Sequence, residues 1–211
     1  MKKIILASAI FCSTIFANAQ SFNGSIEFKY STQKDTTTNI YLVKDKLVKL
    51  DQYGKKSGAI EGSFIFDIAG GTIKFVNPKR KVWGMHKSET PPIVKGTCSV
   101  TKGGTKKVQG ISCTEYVVKN TEENTVISYW VAFDKFTFFM PVLKMWNRKD
   151  KQSIYFGKID GLPEGSMPLM SEEKQISDNK IITKLEVVKI GKTVPAESSL
   201  QVPAGYNKFD Q

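Results

Sequence analysis

The stretch SFIFDIAGGTIKFVN, residues 63–77, decides the fold class. Its two mostly apolar segments, 63–68 and 72–76, flank Gly70-Gly71, a pair that is typical of a tight hairpin turn. Side chains that alternate between apolar and polar indicate a β-strand with one buried face. The stretch therefore predicts two antiparallel neighbouring strands.

The same alternation extends through most of the chain. In SIEFKYS, residues 25–31, Ile26, Phe28 and Tyr30 point to one face of a predicted strand. Further segments with strand character are 39–43, 46–50, 81–86, 97–101, 112–118, 125–133, 166–175 and 180–190. Short connections favour antiparallel neighbours, and a sheet of this size curls instead of staying flat. We predict a mainly β fold: a single, strongly curved antiparallel half-barrel of about ten strands, with one or two short helices over its concave face.

One segment departs from the alternation. KFTFFMPVLKMW, residues 135–146, is mostly apolar, and Pro141 favours a helix that starts there and runs to about Asn147. So short a helix needs a surface to pack on, and the concave face of the sheet offers one. PAESSL, residues 195–200, predicts a second helical turn.

Residues 135–146 have two interpretations. The segment is either a plug that fills the core, or a lid over a cavity that holds a foreign hydrocarbon chain. Aromatic and methionine side chains suit such a cavity, although most of them simply pack in cores. The candidate cavity and lid residues are Phe136, Phe138, Phe139, Met140, Leu143, Trp146 and Trp130.

The N-terminus resembles a secretory leader. Lys2 and Lys3 precede a mostly apolar stretch that ends in Ala17-Asn18-Ala19. We predict a signal peptide over residues 1–19 and one domain over residues 20–211. The protein is expected to be exported, to the periplasm or, as the alternative, to the medium. No other apolar run has the ~20 residues that a membrane helix requires.

The sequence is basic, with a formal net charge of +11. The lysines are scattered along predicted strands, and the clusters 78–81 and 147–151 are short and lack interleaved aromatic residues. The pattern therefore does not predict nucleic acid as a partner.

Two cysteines remain after the leader. Cys98 and Cys113 are candidates for a disulfide, which an oxidising compartment would permit. A hairpin that turns at Gly103-Gly104 places Cys98 opposite Gln109 instead, so pairing the cysteines needs a shifted turn or a bulge. The sequence leaves both outcomes open.

The residues for familiar site chemistry are missing. The sequence has one histidine, His86, and no spacing of Cys, His and carboxylates that holds a metal. Phosphate-binding and nucleophile-elbow motifs are absent too. The acidic pairs 122–123 and 172–173 lie among polar residues and indicate solvated charges. We expect no cofactor, no metal and no catalytic residues.

Several motifs together resemble one known family. TKKVQGISCTEYVVK (residues 105–119), a Trp130-Val131 strand and the closing segment PAGY (residues 203–206) are similar to DUF4412, a family of exported proteins from Bacteroidota. Leu200 and Ile111 replace residues that are more often aromatic there, and both remain apolar. The resemblance extends at the level of fold to periplasmic lipoprotein carriers, which are half-barrels with a lidded apolar cavity.

These observations favour an exported, non-catalytic binding protein for a hydrophobic ligand, such as a lipid or a lipoprotein acyl chain. The alternative is a structural or interaction module of the cell envelope with a filled core, which binds another envelope protein. An enzyme of unrecognised type is a third hypothesis.

Overall fold

The structure is a computed structural model that describes residues 21–55, 57–88, 90, 92–133 and 135–209. The predicted leader lies outside these residues. The strands are β1 (Gly24–Thr32), β2 (Thr36–Lys44), β3 (Leu47–Tyr53), β4 (Ile60–Asp67), β5 (Thr72–Asn77), β6 (Val82–Met85), β7 (Ser99–Val108), β8 (Ile111–Asn120), β9 (Thr125–Ala132), β10 (Met167–Gln175), β11 (Ile181–Gly191) and β12 (Asn207–Lys208). The helices are α1 (Phe139–Trp146), α2 (Lys151–Phe156) and a 3-10 helix (Glu197–Leu200).

All twelve strands belong to one sheet, in the order β12-β6-β5-β4-β3-β2-β1-β11-β10-β9-β8-β7. Each sequence segment that was predicted as a strand forms one of β1 to β11. The prediction of about ten antiparallel strands needs two small corrections. The sheet has twelve strands, and the two-residue β12 pairs with β6 in parallel. The backbone N–H groups of Asn207 and Phe209 hold this segment by donating to Lys81 and Trp83, and two residues are too few to show an alternation in the sequence.

The sheet is strongly curved, as predicted. β4 and β9 are six positions apart in the strand order, which would separate them by about 29 Å in a flat sheet. A chain of ring contacts nevertheless joins the short helices to both strands: Trp146 lies 5.3 Å from Phe66 of β4, and Phe156 lies 5.4 Å from Tyr129 of β9. The helices therefore occupy the hollow of a half-barrel.

The concave face carries the main core. Its side chains come from strands along most of the sheet and from the segment before and within α1. The buried members are Ile26, Phe28, Tyr41, Val43, Val48, Leu50, Phe66, Ile73, Cys113, Ala132, Phe136, Phe138, Val142, Trp146, Met167, Leu169 and Val187. A second cluster, built around Tyr129, Tyr155 and Phe156, joins α2 to β8 and β9.

Different kinds of residue begin and end the two helices. α1 begins at Phe139, two residues before the predicted start, so that Pro141 lies in its first turn, where its missing N–H costs nothing. α1 ends at Asn147, whose left-handed backbone lets its N–H donate to the Leu143 carbonyl at 3.0 Å. α2, which was not predicted, is capped by Asp150, whose carboxylate accepts from the Ser153 N–H at 2.9 Å.

The β7–β8 hairpin settles the question of the cysteines. The turn lies at Gln109-Gly110, both with positive φ, while Gly103 and Gly104 lie within β7 at a shift of the register. Cys113 therefore pairs with Lys106, whereas Cys98 lies just before β7, near Asn120 at the far end of β8. Both thiols are free. The candidate disulfide between Cys98 and Cys113 is thus corrected, because the true turn places them at opposite ends of the hairpin.

The C-terminal segment covers part of the convex face. The 3-10 helix, which confirms the predicted turn at 195–200, lies against β3, and Leu200 is fully buried there. Ile65 and Val76 point away from the main core and are buried on this outer side. β3 to β5 are therefore covered on both faces.

Candidate functional site

A cavity of about 120 Å³ lies between the concave face of the sheet and the two helices. Its walls are apolar toward α1 and polar toward the loop that joins α1 to α2. The lining residues are Phe28, Tyr30, Thr37, Asn39, Tyr41, Leu50, Gln52, Tyr129, Phe139, Val142, Leu143, Trp146, Arg148, Asp150, Gln152, Ser153, Phe156, Pro168, Ser171 and Leu185.

α1 forms the apolar wall of this cavity. Phe139, Leu143 and Trp146 line it at positions that repeat every three or four residues, so they share one face of the helix. Trp146 also packs on Phe64 at 4.8 Å, and Phe139 packs on Phe156 at 5.7 Å. No side chain of residues 139–146 has a hydrogen bond to the described part of the sheet. Apolar packing therefore holds α1 in place.

α2 is attached to the sheet by polar contacts. The buried Gln152 donates from Nε2 to Thr183 Oγ1 at 2.7 Å, accepts from Ser171 Oγ, and receives the Tyr129 hydroxyl on its backbone carbonyl at 2.8 Å. These bonds connect one helix residue to β9, β10 and β11. Breaking any of them leaves a buried polar group without a partner, which is costly. α2 is thus the fixed wall of the cavity.

Arg148 and Asp150 form the charged rim of the cavity. Arg148 Nε donates to Asp150 Oδ2 at 2.5 Å, and the guanidinium lies 4.5 Å from the centre of the Trp146 ring. Burial of the guanidinium opposes its charge, but the neighbouring Asp150 carboxylate outweighs this, and the pKa of Arg148 is raised. The rim is therefore an ion pair of Arg148 and Asp150 beside an apolar interior.

Three tyrosines line the cavity from the sheet: Tyr30, Tyr41 and Tyr129. Burial raises the pKa of Tyr41 to about 12, and it raises the pKa of Tyr129 well above its usual value. Both hydroxyls therefore stay protonated at neutral pH and act as hydrogen-bond donors.

The structure separates the candidate residues into three groups. Phe139, Leu143 and Trp146 line the cavity. Phe136 and Phe138 are buried and pack on Phe22 at 5.4 and 6.3 Å, outside the cavity lining. Met140 packs against the second cluster, around Tyr129 and α2.

Trp130 was a candidate for the cavity, but it is not among the residues that line it. In β9 it alternates with the cavity residue Tyr129, and its partly buried ring packs against the main core. There its ring meets the ammonium group of Lys106 at 3.9 Å. The alternation itself held this signal, because Tyr129 and Trp130 cannot share one face of a strand.

Sequence reasoning missed the polar half of the site. Arg148 and Asp150 belong to the short cluster 147–151, which was considered only as a possible nucleic-acid site, and Gln152 belongs to the helix that was not predicted. The spacing Asp150-x-x-Ser153 is a capping pattern and could have identified the start of α2.

Within the described residues, no group of three or more metal-ligating side chains occurs. In the same residues, no helix has the length and apolar character needed to cross a membrane. His86 lies at the end of β6 and packs edge-on against Phe64 at 5.4 Å.

Comparison with known proteins gives one sequence match. Residues 22–206 match the family model described as "Domain of unknown function (DUF4412)". No curated protein sequence matches this chain.

Solved structures with a similar fold are distant. The MucA/MucB complex from Pseudomonas aeruginosa matches with 13% identity and a TM-score of 0.49, over 86% of this chain and 56% of that one. A LolA superfamily protein from Nitrosomonas europaea matches with 7% identity and a TM-score of 0.36, over 87% of this chain and 91% of that one. This chain thus spans little more than half the length of the MucB relative. At such TM-scores these similarities carry no argument about function.

Proposed function

The chain belongs to the DUF4412 family, and because that description names no activity, we propose from its own interior that it is an exported, non-catalytic protein that binds the hydrocarbon chain of a lipid or lipoprotein. The observation that carries the proposal is the cavity between α1 and the sheet, with its apolar wall of Phe139, Leu143 and Trp146. Binding gains free energy from buried apolar surface, at about 25 cal/mol per Å².

The proposal requires α1 to move. A cavity of about 120 Å³ is smaller than the ~300 Å³ at which ligand pockets usually begin, so an entire acyl chain does not fit beneath the closed helix. Apolar contacts alone hold α1 on the sheet. A bound hydrocarbon chain can make equivalent apolar contacts with the sheet when α1 is displaced. α2 keeps its polar attachment through Gln152 while α1 is displaced.

The test combines lipid extraction with probe binding. The full chain is produced with its leader, purified after export and extracted with organic solvent, and bound molecules are identified by mass spectrometry. In parallel, uptake of the fluorescent probe N-phenyl-1-naphthylamine is titrated. Leu143→Phe fills the cavity, and we expect it to lower probe affinity about tenfold, a change of ~1.4 kcal/mol.

Lys144→Phe is the matched control, because it adds the same ring to the same helix on the exposed side. We expect it to bind the probe as the unaltered protein does. A protein that carries no lipid and takes up no probe contradicts the proposal.

That outcome would favour the second candidate, an envelope interaction module with a closed core. Its support is the small size of the cavity and the burial of Phe136 and Phe138, which are 1% and 3% exposed. Ile93, which is 93% exposed, would then be a contact for a protein partner. Chemical crosslinking in the native host, with Ile93→Lys as the variant that loses the partner, tests this candidate.

A further inference from the structure

Two groups of hydrogen-bond donors at the cavity lack acceptors. A guanidinium has five N–H donors, and in Arg148 only Nε has an acceptor among the described residues, namely Asp150 Oδ2. The Tyr41 hydroxyl has no hydrogen-bond partner in the same part of the chain. Both residues line the cavity, and each is close enough to affect the pKa of the other. No fully buried side-chain nitrogen or oxygen of the described residues lacks a partner, so these donors are open to solvent at the cavity and are available to a ligand.

Asp150 forms an ion pair with Arg148 but bonds only its Nε. Its Oδ1 accepts the Ser153 N–H at 2.9 Å, and its Oδ2 accepts Ser153 Oγ at 3.0 Å besides Arg148 Nε. The carboxylate is occupied as the cap of α2. The terminal amino groups of Arg148 are left for another acceptor.

The presence of an arginine at the cavity rim also favours an anionic ligand. The sequence has 31 basic residues but only two arginines, Arg80 and Arg148. Arg80 is exposed at the turn between β5 and β6, whereas Arg148 is held over the Trp146 ring at the cavity rim. Arginine binds planar anions through two parallel N–H donors, which lysine cannot do.

Building on the proposed function, we propose that the ligand is a single-chain amphiphile with an anionic head group, a carboxylate or a phosphate. Its head binds the terminal amino groups of Arg148 and the hydroxyl of Tyr41, and its chain runs along Phe139 and Leu143 beneath α1. An anionic head offers these solvent-accessible donors charged acceptors, whereas a neutral acyl chain offers them none.

Tyr41 is suited to this role because its raised pKa keeps the hydroxyl protonated. Its ring is fixed between Phe28 at 5.3 Å and Phe138 at 5.7 Å, so the hydroxyl has a defined position. A donor that is already positioned loses little conformational entropy on binding.

The experiment compares three ligands of equal chain length: laurate, dodecyl phosphate and 1-dodecanol. Binding of each to the full chain, purified after export and stripped of lipid, is measured by calorimetry. We expect one or both anions to bind at least tenfold more tightly than the alcohol. The tighter of the two anions distinguishes a free fatty acid from a lipid phosphate head group.

Two variants and one control test whether Arg148 and Tyr41 cause the tighter binding of the anions. Arg148→Gln is expected to lower the affinity for the anions at least tenfold and to change the affinity for 1-dodecanol less than twofold. Tyr41→Phe, which keeps the ring contacts, is expected to weaken anion binding about threefold and provides the test if Arg148→Gln does not fold. Arg80→Gln removes the same charge at the surface and is expected to change nothing.

Equal affinity for the anions and the alcohol, or an equal loss for all three ligands in Arg148→Gln, would overturn the head-group proposal and leave the proposed cavity intact. Failure of all three to bind would overturn the proposed function itself.

Discussion

Glu123 binds hydrogen-bond donors from α2 and from the segment between β6 and β7. Its carboxylate accepts the Tyr155 hydroxyl at 2.5 Å and the Lys95 N–H at 2.9 Å, and the Lys151 ammonium lies 3.3 Å away. The Tyr155 bond contributes most to lowering the pKa of Glu123, followed by the Lys95 bond. Donors that bind the charged form stabilise it, so Glu123 joins α2 to the turn before β9 as an anion.

The lowered pKa predicts a dependence of stability on pH. Stabilisation by Glu123 is complete above its unfolded pKa, near 4.5, and is lost as the pH falls through the folded value. Glu123→Gln is expected to lower the free energy of unfolding by about 1.5 kcal/mol at pH 7 and by much less at pH 3. Urea unfolding at both pH values measures this. Glu122→Gln, at an exposed position, is the control, and an equal penalty at both pH values would contradict the prediction.

Cys113 and Cys98 differ in reactivity although both are free. Cys113 is 1% exposed, and burial raises the pKa of its thiol, so little reactive thiolate forms. Cys98 is half-buried. With iodoacetamide we expect Cys98 to be alkylated first and Cys113 only in denaturant, as followed by peptide mass spectrometry. A peptide pair joined by a disulfide in the purified protein would contradict the β7–β8 register.

At the level of elements, the β7–β8 turn depends on backbone conformation alone. Gly110 has φ +77°, and a Cβ added there meets no atom within 4 Å. Gly110→Ala is therefore expected to cost about 1 kcal/mol through left-handed strain without any clash. Gly104 has equally open space but no positive φ, so Gly104→Ala is the matched control and is expected to be neutral or slightly stabilising. Thermal unfolding of the two variants measures the difference, and equal effects would contradict the assigned turn.

The two helices are expected to differ in mobility. α1 is held by apolar packing, whereas α2 is attached through Gln152 to three strands. In hydrogen exchange we expect the amides of α1 to exchange at least tenfold faster than those of α2, because local opening follows the weaker attachment. Gln152→Ala should lower the protection of α2 more than that of α1, which contacts α2 through Phe139 and Phe156. Equal protection of both helices would contradict a mobile α1.

Strands were predictable from the sequence to a greater extent than the turns and the site. Ile26 and Phe28 were assigned to one face from alternation, and both are buried in the main core. The Gly103-Gly104 pair suggested a turn but forms an irregularity within β7, while Gln109 adopts the left-handed conformation that favours asparagine or glycine. Local sequence ranks turn residues by preference, and the register of the whole sheet decides which one is used.

At the scale of the molecule, the site combines residues that are distant in sequence. Tyr41 on β2 meets Arg148 after α1 only because the sheet curls and Asn147 reverses the chain at the end of α1. Alternation predicts a sheet and its length predicts curvature, but neither predicts which strand a loop will reach. The apolar half of the cavity was therefore foreseeable from residues 135–146, and the polar rim was not.

The covering of β3 to β5 on both faces predicts where the molecule is most sensitive to truncation of a side chain. Leu200 is 1% exposed in the 3-10 helix that contacts β3. Leu200→Ala removes buried methyl groups and leaves a cavity. We therefore expect the free energy of unfolding to fall by about 2–4 kcal/mol. Val194→Ala, in the same segment but 53% exposed, is the control and is expected to cost less than about 0.5 kcal/mol. Urea unfolding compares the two variants, and probe uptake should be unchanged in both because the outer face does not contact the cavity. A cost for Leu200→Ala no larger than that for Val194→Ala would show that the C-terminal segment does not pack on the sheet in solution.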